Sequence, residues 1–274
     1  MKIVAQCLIR NEERWIWYAL KSVLDHVDLI QVWDDDSQDQ TTAIIESINS
    51  PKIQYRKVKI NSPMEHTQMR QQMLDEAQAD WILTLDGDEV WWQESIAKVV
   101  LTIRKHPNKA GIISPFINAV GDIYHYQDSR ASHYRIHNYF GPYTIRAINR
   151  SLPGLHLASN PHGRQEYQTS DGTAIQNLPL NQLVFVDKPF LHLTHLQRSR
   201  TLTVDRQTLK RSFKYRYELG AEIETLPEVF YLSTPTIVPD PWTRRNVKYW
   251  LWALWQTPLK LIKRSIFTSA QEGY

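Results

Sequence analysis

The first 120 or so residues alternate short apolar runs with amphipathic stretches, and no other feature constrains the fold as tightly. Ile3–Ile9 is a nearly continuous apolar run of strand length, the pattern of a strand covered on both faces. Arg14–Leu24 then places Ile16, Leu20, Val23 and Leu24 at helical spacing, with Glu12 and Glu13 acidic at its start. Leu29–Trp33, Ile53–Val58, Trp81–Leu85 and Gly111–Phe116 read as further strands. Thr41–Ile48, His66–Ala79 and Gln93–Lys105 read as the helices between them. Such alternation predicts an α/β chain with a mostly parallel sheet flanked by helices. Ligands then bind beyond the carboxyl ends of the strands.

Beyond about residue 120, tyrosine, histidine, asparagine and proline dominate, and the strand-like runs shorten to Tyr143–Ile148, Leu183–Val186 and Phe190–Leu193. No linker composition divides the chain, so this part reads as an α+β elaboration of the same domain. Helical spacing returns over Leu202–Leu219 and Asn246–Ile266.

Several classes drop out. The nine glycines include no pair two residues apart, which removes both the G-x-G turn of dinucleotide-binding folds and the G-x-x-x-x-G-K-[ST] phosphate loop. The single cysteine, Cys7, removes a disulfide framework and cysteine-rich zinc modules. The apolar start stops at Arg10-Asn11-Glu12-Glu13, too short for a signal peptide, and no stretch of about 18 apolar residues follows. The expected compartment is a reducing cytoplasm. Residues 1–100 carry 10 basic and 17 acidic side chains, against 9 and 5 over 101–197 and 13 and 7 over 198–274. A nucleic-acid binder spreads one positive face over its contact surface, so no nucleic-acid partner is expected. An acidic front with a basic back suits carboxylates that hold a divalent cation beside basic residues that meet an anion.

Two acidic clusters follow strands. Asp34-Asp35-Asp36-Ser37-Gln38-Asp39-Gln40-Thr41 comes directly after Leu29–Trp33, and Asp86-Gly87-Asp88-Glu89 directly after Trp81–Leu85. Like charges so concentrated cost folding free energy unless a cation or hydrogen-bond donors compensate. Gly87 is expected to let the backbone turn sharply, so that Asp86 and Asp88 approach one hard cation such as Mg²⁺ or Mn²⁺. A solvated turn and a helix cap are the plainer readings of the same residues.

The order of these elements resembles the family 2 glycosyltransferases, which have the nucleotide-diphospho-sugar transferase (GT-A) fold. Arg10-Asn11-Glu12 stands where that family carries a polar R/K-N-E after its first strand. Val32-Trp33-Asp34-Asp35-Asp36-Ser37-Gln38-Asp39-Gln40-Thr41 resembles its V-D-D-G-S-x-D-x-T stretch, with one extra residue after Val32 and with Asp36 and Gln40 in place of the customary glycines. Arg70, Ala77, Asp80-Trp81 and Leu85-Asp86-Gly87-Asp88-Glu89 resemble the family's helix and its A-x-G-D-h-h-h-h-L-D-x-D element. The likeness covers about the first 100 residues.

The resemblance implies a GT-A-like, Rossmann-type domain over residues 1–240, with a nucleotide-sugar-binding half (1–120) and an acceptor half (121–240), followed by a C-terminal aromatic and basic amphipathic helix (241–274). It implies a metal-dependent, inverting transfer of sugar from a nucleotide-diphosphate donor to a saccharide or lipid-linked hydroxyl, as in envelope polysaccharide or glycolipid synthesis. Arg10, Asn11, Asp34, Asp35, Arg70 and Asp86 would line the nucleotide pocket. Asp86 and Asp88 would hold Mn²⁺ or Mg²⁺, with His192 or His195 completing the shell.

The catalytic base has few candidates, because Asp122, Asp128, Glu166, Asp171 and Asp187 are the whole acidic supply between residues 101 and 197. Glu166, in the turn-forming His162-Gly163-Arg164-Gln165-Glu166, is the first choice, with Asp187 and Glu89 as substitutes. Arg198 or Arg200 could face the leaving diphosphate. In the tail, Trp242 to Trp255 holds four of the ten tryptophans, with Lys260, Lys263 and Arg264 beyond. Residues 242–266 therefore read either as a peripheral helix at the inner face of a membrane or as a helix packing Trp250 and Leu254 onto the domain. Two other classes remain open. One is a D-x-D phosphatase, which Glu89-Val90 and the mid-chain position argue against; the other is a non-catalytic carbohydrate-binding module of the same fold.

Overall fold

A computed structural model describes residues 1–132, 134–200, 217–266 and 271–272. In chain order its elements are β1 (Ile3–Ile9), α1 (Ile16–Val23), β2 (Leu29–Asp35), α2 (Thr41–Ser47), β3 (Ile53–Val58), α3 (Pro63–Glu76), β4 (Trp81–Thr84), β5 (Glu89–Trp91) and α4 (Gln93–Lys105). There follow β6 (Gly111–Val120), β7 (Asp122–Tyr126), β8 (Tyr134–Ile136), β9 (Tyr139–Gly141), β10 (Tyr143–Asn149), β11 (His156–Leu157), β12 (Tyr167–Gln168), β13 (Leu183–Phe185), β14 (Phe190–His192), β15 (Ala221–Glu222) and α5 (Val247–Ile266).

β1 is buried along its whole length because it runs mid-sheet with apolar cover on both sides. Ile3, Ala5, Cys7 and Ile9 join the larger core with α1 and α4, while Val4 joins a second core with Leu74 of α3. β1 is parallel to β2 and to β4, and β2 is parallel to β3. On the other side the sheet changes sense: β10 inserts antiparallel between β4 and β6. The resulting path, β7-β6-β10-β4-β1-β2-β3, bears out the helix-flanked α/β sheet, parallel from β4 to β3 as the alternation predicts and antiparallel from β4 to β7. Two buried polar groups stay satisfied at its centre, since the Gln6 amide donates to Gln31 Oε1 (2.8 Å) and to the Met73 carbonyl (2.6 Å).

Some boundaries moved for identifiable reasons. α3 begins at Pro63 and not at His66, because Ser62 caps it by accepting a hydrogen bond from the Glu65 amide (3.1 Å), with proline in the first turn. β5 and β7 fall where no strand was expected. β5 is three residues of a polar-to-aromatic run that becomes a strand only by pairing with β14. The expected helix Leu202–Leu219 lies, up to residue 216, outside the described residues.

α5 docks by a stripe other than the one expected. Trp250 and Leu254 are exposed, and the buried positions are Tyr249, Ala253 and Thr257. No helix among the described residues is long and apolar enough to cross a membrane. Tyr249 anchors the helix: its hydroxyl donates to the Glu218 carbonyl (2.9 Å), and its ring lies against Gly121. Gly121 has φ +80°, and a Cβ there would come within 2.6 Å of the Tyr249 ring. Gly121→Ala is therefore expected to cost about 1–3 kcal/mol through strain and overpacking. Urea unfolding of parent and variant checks this, and an unchanged midpoint would show that α5 shifts freely on the body.

Candidate active site

The parallel strands β1, β2 and β4 end on one side of the sheet, so the polar residues that follow them meet there. Asn11, with φ 54°, takes the left-handed conformation that asparagine tolerates. Its amide donates to Ser37 Oγ (2.8 Å) and its side-chain carbonyl accepts from the Gln38 amide (2.8 Å). The ends of β1 and β2 are thus clasped together. Asp36, which replaces a customary glycine, has φ 48°. It holds the glycine conformation at a tolerable cost, with Lys57 Nζ 3.2 Å from its carboxylate. Gln40 sits at φ −79° and needs no glycine.

Asp34 is fully buried, and its carboxylate accepts from the Ser37 amide (3.0 Å), Thr42 Oγ1 (3.0 Å) and the Tyr55 hydroxyl (2.9 Å). Both oxygens are taken up in organising the loop. Asp35 accepts from the Ile60 amide (2.7 Å) and pairs with Arg10 (3.2 Å), whose side chain is more than half exposed.

The second cluster gathers more chemistry. Arg70 of α3 reaches one oxygen of Asp86 (3.0 Å) and Arg146 of β10 the other (3.1 Å). Arg146 also pairs with the fully buried Glu89. β14 supplies a histidine: its antiparallel register on β5 sets His192 opposite Glu89, and the Leu193 amide donates to the Asp88 carbonyl (2.8 Å). His192 Nε2 lies 3.4 Å from Asp88 Oδ1. Asp86–Glu89 makes the expected tight turn, with the Glu89 amide donating to the Asp86 carbonyl (3.1 Å), and within it Gly87 owes its identity to close approach. A Cβ there would come within 2.8 Å of Glu12 Cγ and 3.0 Å of Ile9 Cγ2, and the residue has no positive φ. Glu12 closes the site from the other side, paired with Arg198 (2.9 Å).

These groups pull on one another's protonation. Burial would push the Asp86 carboxyl up, but Arg146, Arg70 and His192 outweigh it and hold it below the usual carboxylate range. Asp88 likewise is held low by His192 against its burial. Burial raises Glu89, and Arg146 only partly offsets this, so its carboxyl is pushed up to about 7. His192 would be lowered by burial, yet Asp88 and the other acids hold it above its ordinary value. Burial pushes Glu12 up against the opposing charge of Arg198.

Asp86, Glu89 and His192 each offer a ligand atom within 4.8 Å of the others. Beside Asp88, Glu12 Oε2 is buried without a hydrogen-bond partner among the described residues. Carboxylate oxygens with one imidazole are a donor set suited to Mn²⁺ or Mg²⁺, so the residues present fit a divalent cation.

The other expected residues are not among the three grouped ligands. His195 lies in the bend after β14, where burial and then the charge of His192 lower its imidazole to about 4; it is not one of the three grouped ligands. Glu166 is held by the side-chain amides of Gln168 (2.7 Å) and Gln176 (3.1 Å). The next residue along, Tyr167, is the one whose hydroxyl faces Arg70 and Arg146. Asp187 follows β13 and Lys188 pairs with Glu94 outside the cluster. Arg198 meets Glu12, and the Arg200 amide donates to Glu13 Oε1 (2.7 Å). Arg146 was not foreseen. Its one signal is a lone cation inside the apolar run Ile145-Arg146-Ala147-Ile148, where an unpaired charge could not be buried.

A family model, glycosyl transferase family 2, matches residues 8–160. Among solved structures, the chain is similar to TarS of S. aureus, residues 1–349, in complex with UDP-GlcNAc, with TM-score 0.51, 18% identity, and coverage of 70% of this chain and 58% of that one. A further structure of S. aureus TarS 1–349 gives TM-score 0.48 and 16% identity over 71% of this chain and 61% of that one. The chain thus spans about three fifths of these TarS structures. At these identities the likeness speaks for the fold. No curated protein matches the sequence.

Arg146→Ala would strand Glu89 and free one side of Asp86, and is expected to cost about 3–5 kcal/mol of stability. Chemical denaturation measures it; a loss below about 1 kcal/mol would mean that Glu89 needs no counter-charge. His66, whose ring is tilted against that of His162 with centroids 4.0 Å apart, gives a pH test. Burial, then Arg70 and His162, push its imidazole from 6.5 down to about 3. The unfolded chain takes up this proton near 6.5 and the folded chain does not, so the contribution is complete above 6.5 and drains as pH falls toward 3. His66→Gln should therefore lose less stability than the parent between neutral and acidic pH, read as thermal midpoints across that range.

Proposed function

Because the chain belongs to glycosyl transferase family 2, we propose that it moves a sugar from a nucleotide-diphosphate donor to the hydroxyl of a saccharide or lipid-linked acceptor, in a single displacement that inverts the anomeric carbon. The observation that carries this reading is the meeting of Asp86, Asp88, Glu89 and His192 with Arg70 and Arg146 beyond the strand ends. The TarS complex with UDP-GlcNAc supports a uridine nucleotide as the first donor to try.

In this reading Arg10 and Asp35 face the nucleoside, with Asn11 and Asp34 holding the loop that presents them. Arg70 and Arg146 lie where a diphosphate would meet positive charge, which stabilises the departing nucleoside diphosphate. Asp86, Asp88, Glu89 and His192 would hold Mn²⁺ or Mg²⁺, which when bound supplies further charge compensation for the phosphates. Glu166 is the proposed base for the acceptor hydroxyl, and the two amides on its carboxylate orient it. Glu89-Val90 after Asp86-Gly87-Asp88, and the mid-chain position of the motif, disfavour the phosphatase reading.

The test is a thermal-shift screen of UDP-, GDP- and CMP-sugars with and without Mn²⁺. One donor is expected to stabilise the parent in a Mn²⁺-dependent way, and Asp88→Asn should weaken that binding by about tenfold or more. Donor binding of undiminished strength in Asp88→Asn would remove the metal-centred reading, and hydrolysis of an aryl phosphate without nucleotide would favour the phosphatase.

A further inference from the structure

α5 turns Thr257, Lys260 and Arg264 toward the body and most of its large apolar residues outward. At 100° per residue, Tyr249, Ala253, Thr257, Lys260 and Arg264 form one stripe. That stripe meets the body: Thr257 Oγ1 accepts from the Leu219 amide (2.9 Å), Lys260 Nζ donates to the Tyr217 carbonyl (2.7 Å), and Arg264 forks onto both oxygens of the buried Glu218 (2.7 Å each). The opposite stripe is Leu251, Trp255, Ile262 and Ile266, with exposures of 64%, 65%, 57% and 65%. A water-facing stripe of large apolar side chains along four turns is the mark of an interaction surface.

The chemistry around the stripe says what covers it. α5 contains no aspartate or glutamate, and Lys248 and Lys263, both exposed, flank the stripe. Neither lysine has an ion-pair partner among the described residues. A second copy laid face to face on this helix would set like charges together with no acid on either helix to receive them. Trp252 and Trp255, in edge contact at 6.4 Å, add the rings favoured where hydrocarbon meets water. A spanning arrangement is ruled out for this helix, which is not apolar enough to cross. What remains complementary is a surface that is apolar beneath and negatively charged above.

We propose that α5 lies in the interface of an anionic lipid bilayer, with Leu251, Trp255, Ile262 and Ile266 at the acyl boundary and Lys248 and Lys263 against the headgroup phosphates. The inward stripe orients the body over the membrane, because Arg264 and Lys260 fix the helix roll through Glu218 and Tyr217. This inference stands on α5 alone and is independent of the transferase reading.

The experiment is flotation of the full chain with vesicles of phosphatidylcholine, alone or mixed with phosphatidylglycerol. Recovery with the mixed vesicles and at least tenfold less with the neutral ones is expected. Trp255→Ser combined with Ile262→Ser should abolish it while leaving the thermal midpoint and any nucleotide-induced shift unchanged, since both side chains face solvent. Lys248→Glu combined with Lys263→Glu should remove the preference for the anionic lipid. Absence of flotation, or equal flotation of parent and Trp255→Ser/Ile262→Ser, overturns the proposal. So does a dimer in lipid-free solution that the same double variant dissolves, which would assign the stripe to a second copy.

Discussion

Two guanidinium groups on one carboxylate hold the strand ends together. Asp86 is approached by Arg70 from α3 and by Arg146 from β10, and Arg146 also compensates the buried Glu89. Carboxylates taken out of water cost several kcal/mol each unless they are paired. Glu12, Asp86, Asp88 and Glu89 stand close enough to feel one another's charge. Their counter-charges come from elements far apart in the chain: Arg70 from the first half, Arg146 from the strand inserted beside β4, and His192 and Arg198 from β14 and the turn after it. The second half of the chain is therefore not an appendage to an acidic first half. Its insertion into the sheet is what lets those acids be buried.

This accounts for which features could be read from the sequence. The first-half strands were legible because a strand buried on both faces needs a continuous apolar run, and the acid clusters were legible because charge at a strand end stands out locally. The loops were less legible. Gly87 was expected to serve a sharp turn, and the Asp86–Glu89 turn forms, but without a positive φ; what requires glycine there is the close approach of Glu12 and Ile9, which no local pattern announces. Asp36 departs from the family pattern in identity but not in backbone, since its φ is 48°. Pairings between distant segments could not be read at all. β5 becomes a strand because β14 lies against it, and no local pattern in Glu89-Val90-Trp91 announces a partner a hundred residues away. Arg146 becomes a site residue for the same reason, through the register of β10 on β4.

The uneven charge along the chain also separates into two parts once contacts are known. Arg146, Arg198 and Arg264 are spent on Glu89, Glu12 and Glu218, and so belong to folding. Lys248 and Lys263 remain on the outer side of α5 with no acid near them in sequence. A positive net charge alone does not distinguish cations that balance buried acids from cations left for a partner, because its sum contains both.

The same accounting bears on how donor and metal would enter the site. Four acids there face three arginines and His192, whose imidazole Asp88 holds above its ordinary value against burial. Burial pushes Glu89 up to about 7 and raises Glu12 as well, so the acids hold less negative charge than their number before any ligand arrives. A divalent cation entering alone would meet Arg70 and Arg146 and make the site net positive. A diphosphate entering alone would meet Asp86 and Asp88. Together they bring nearly opposite charges, and each removes the repulsion that the other would suffer. In the proposed reading such a site would favour the metal–nucleotide pair over either component, and the arginines that let the acids fold would also be what makes that preference steep.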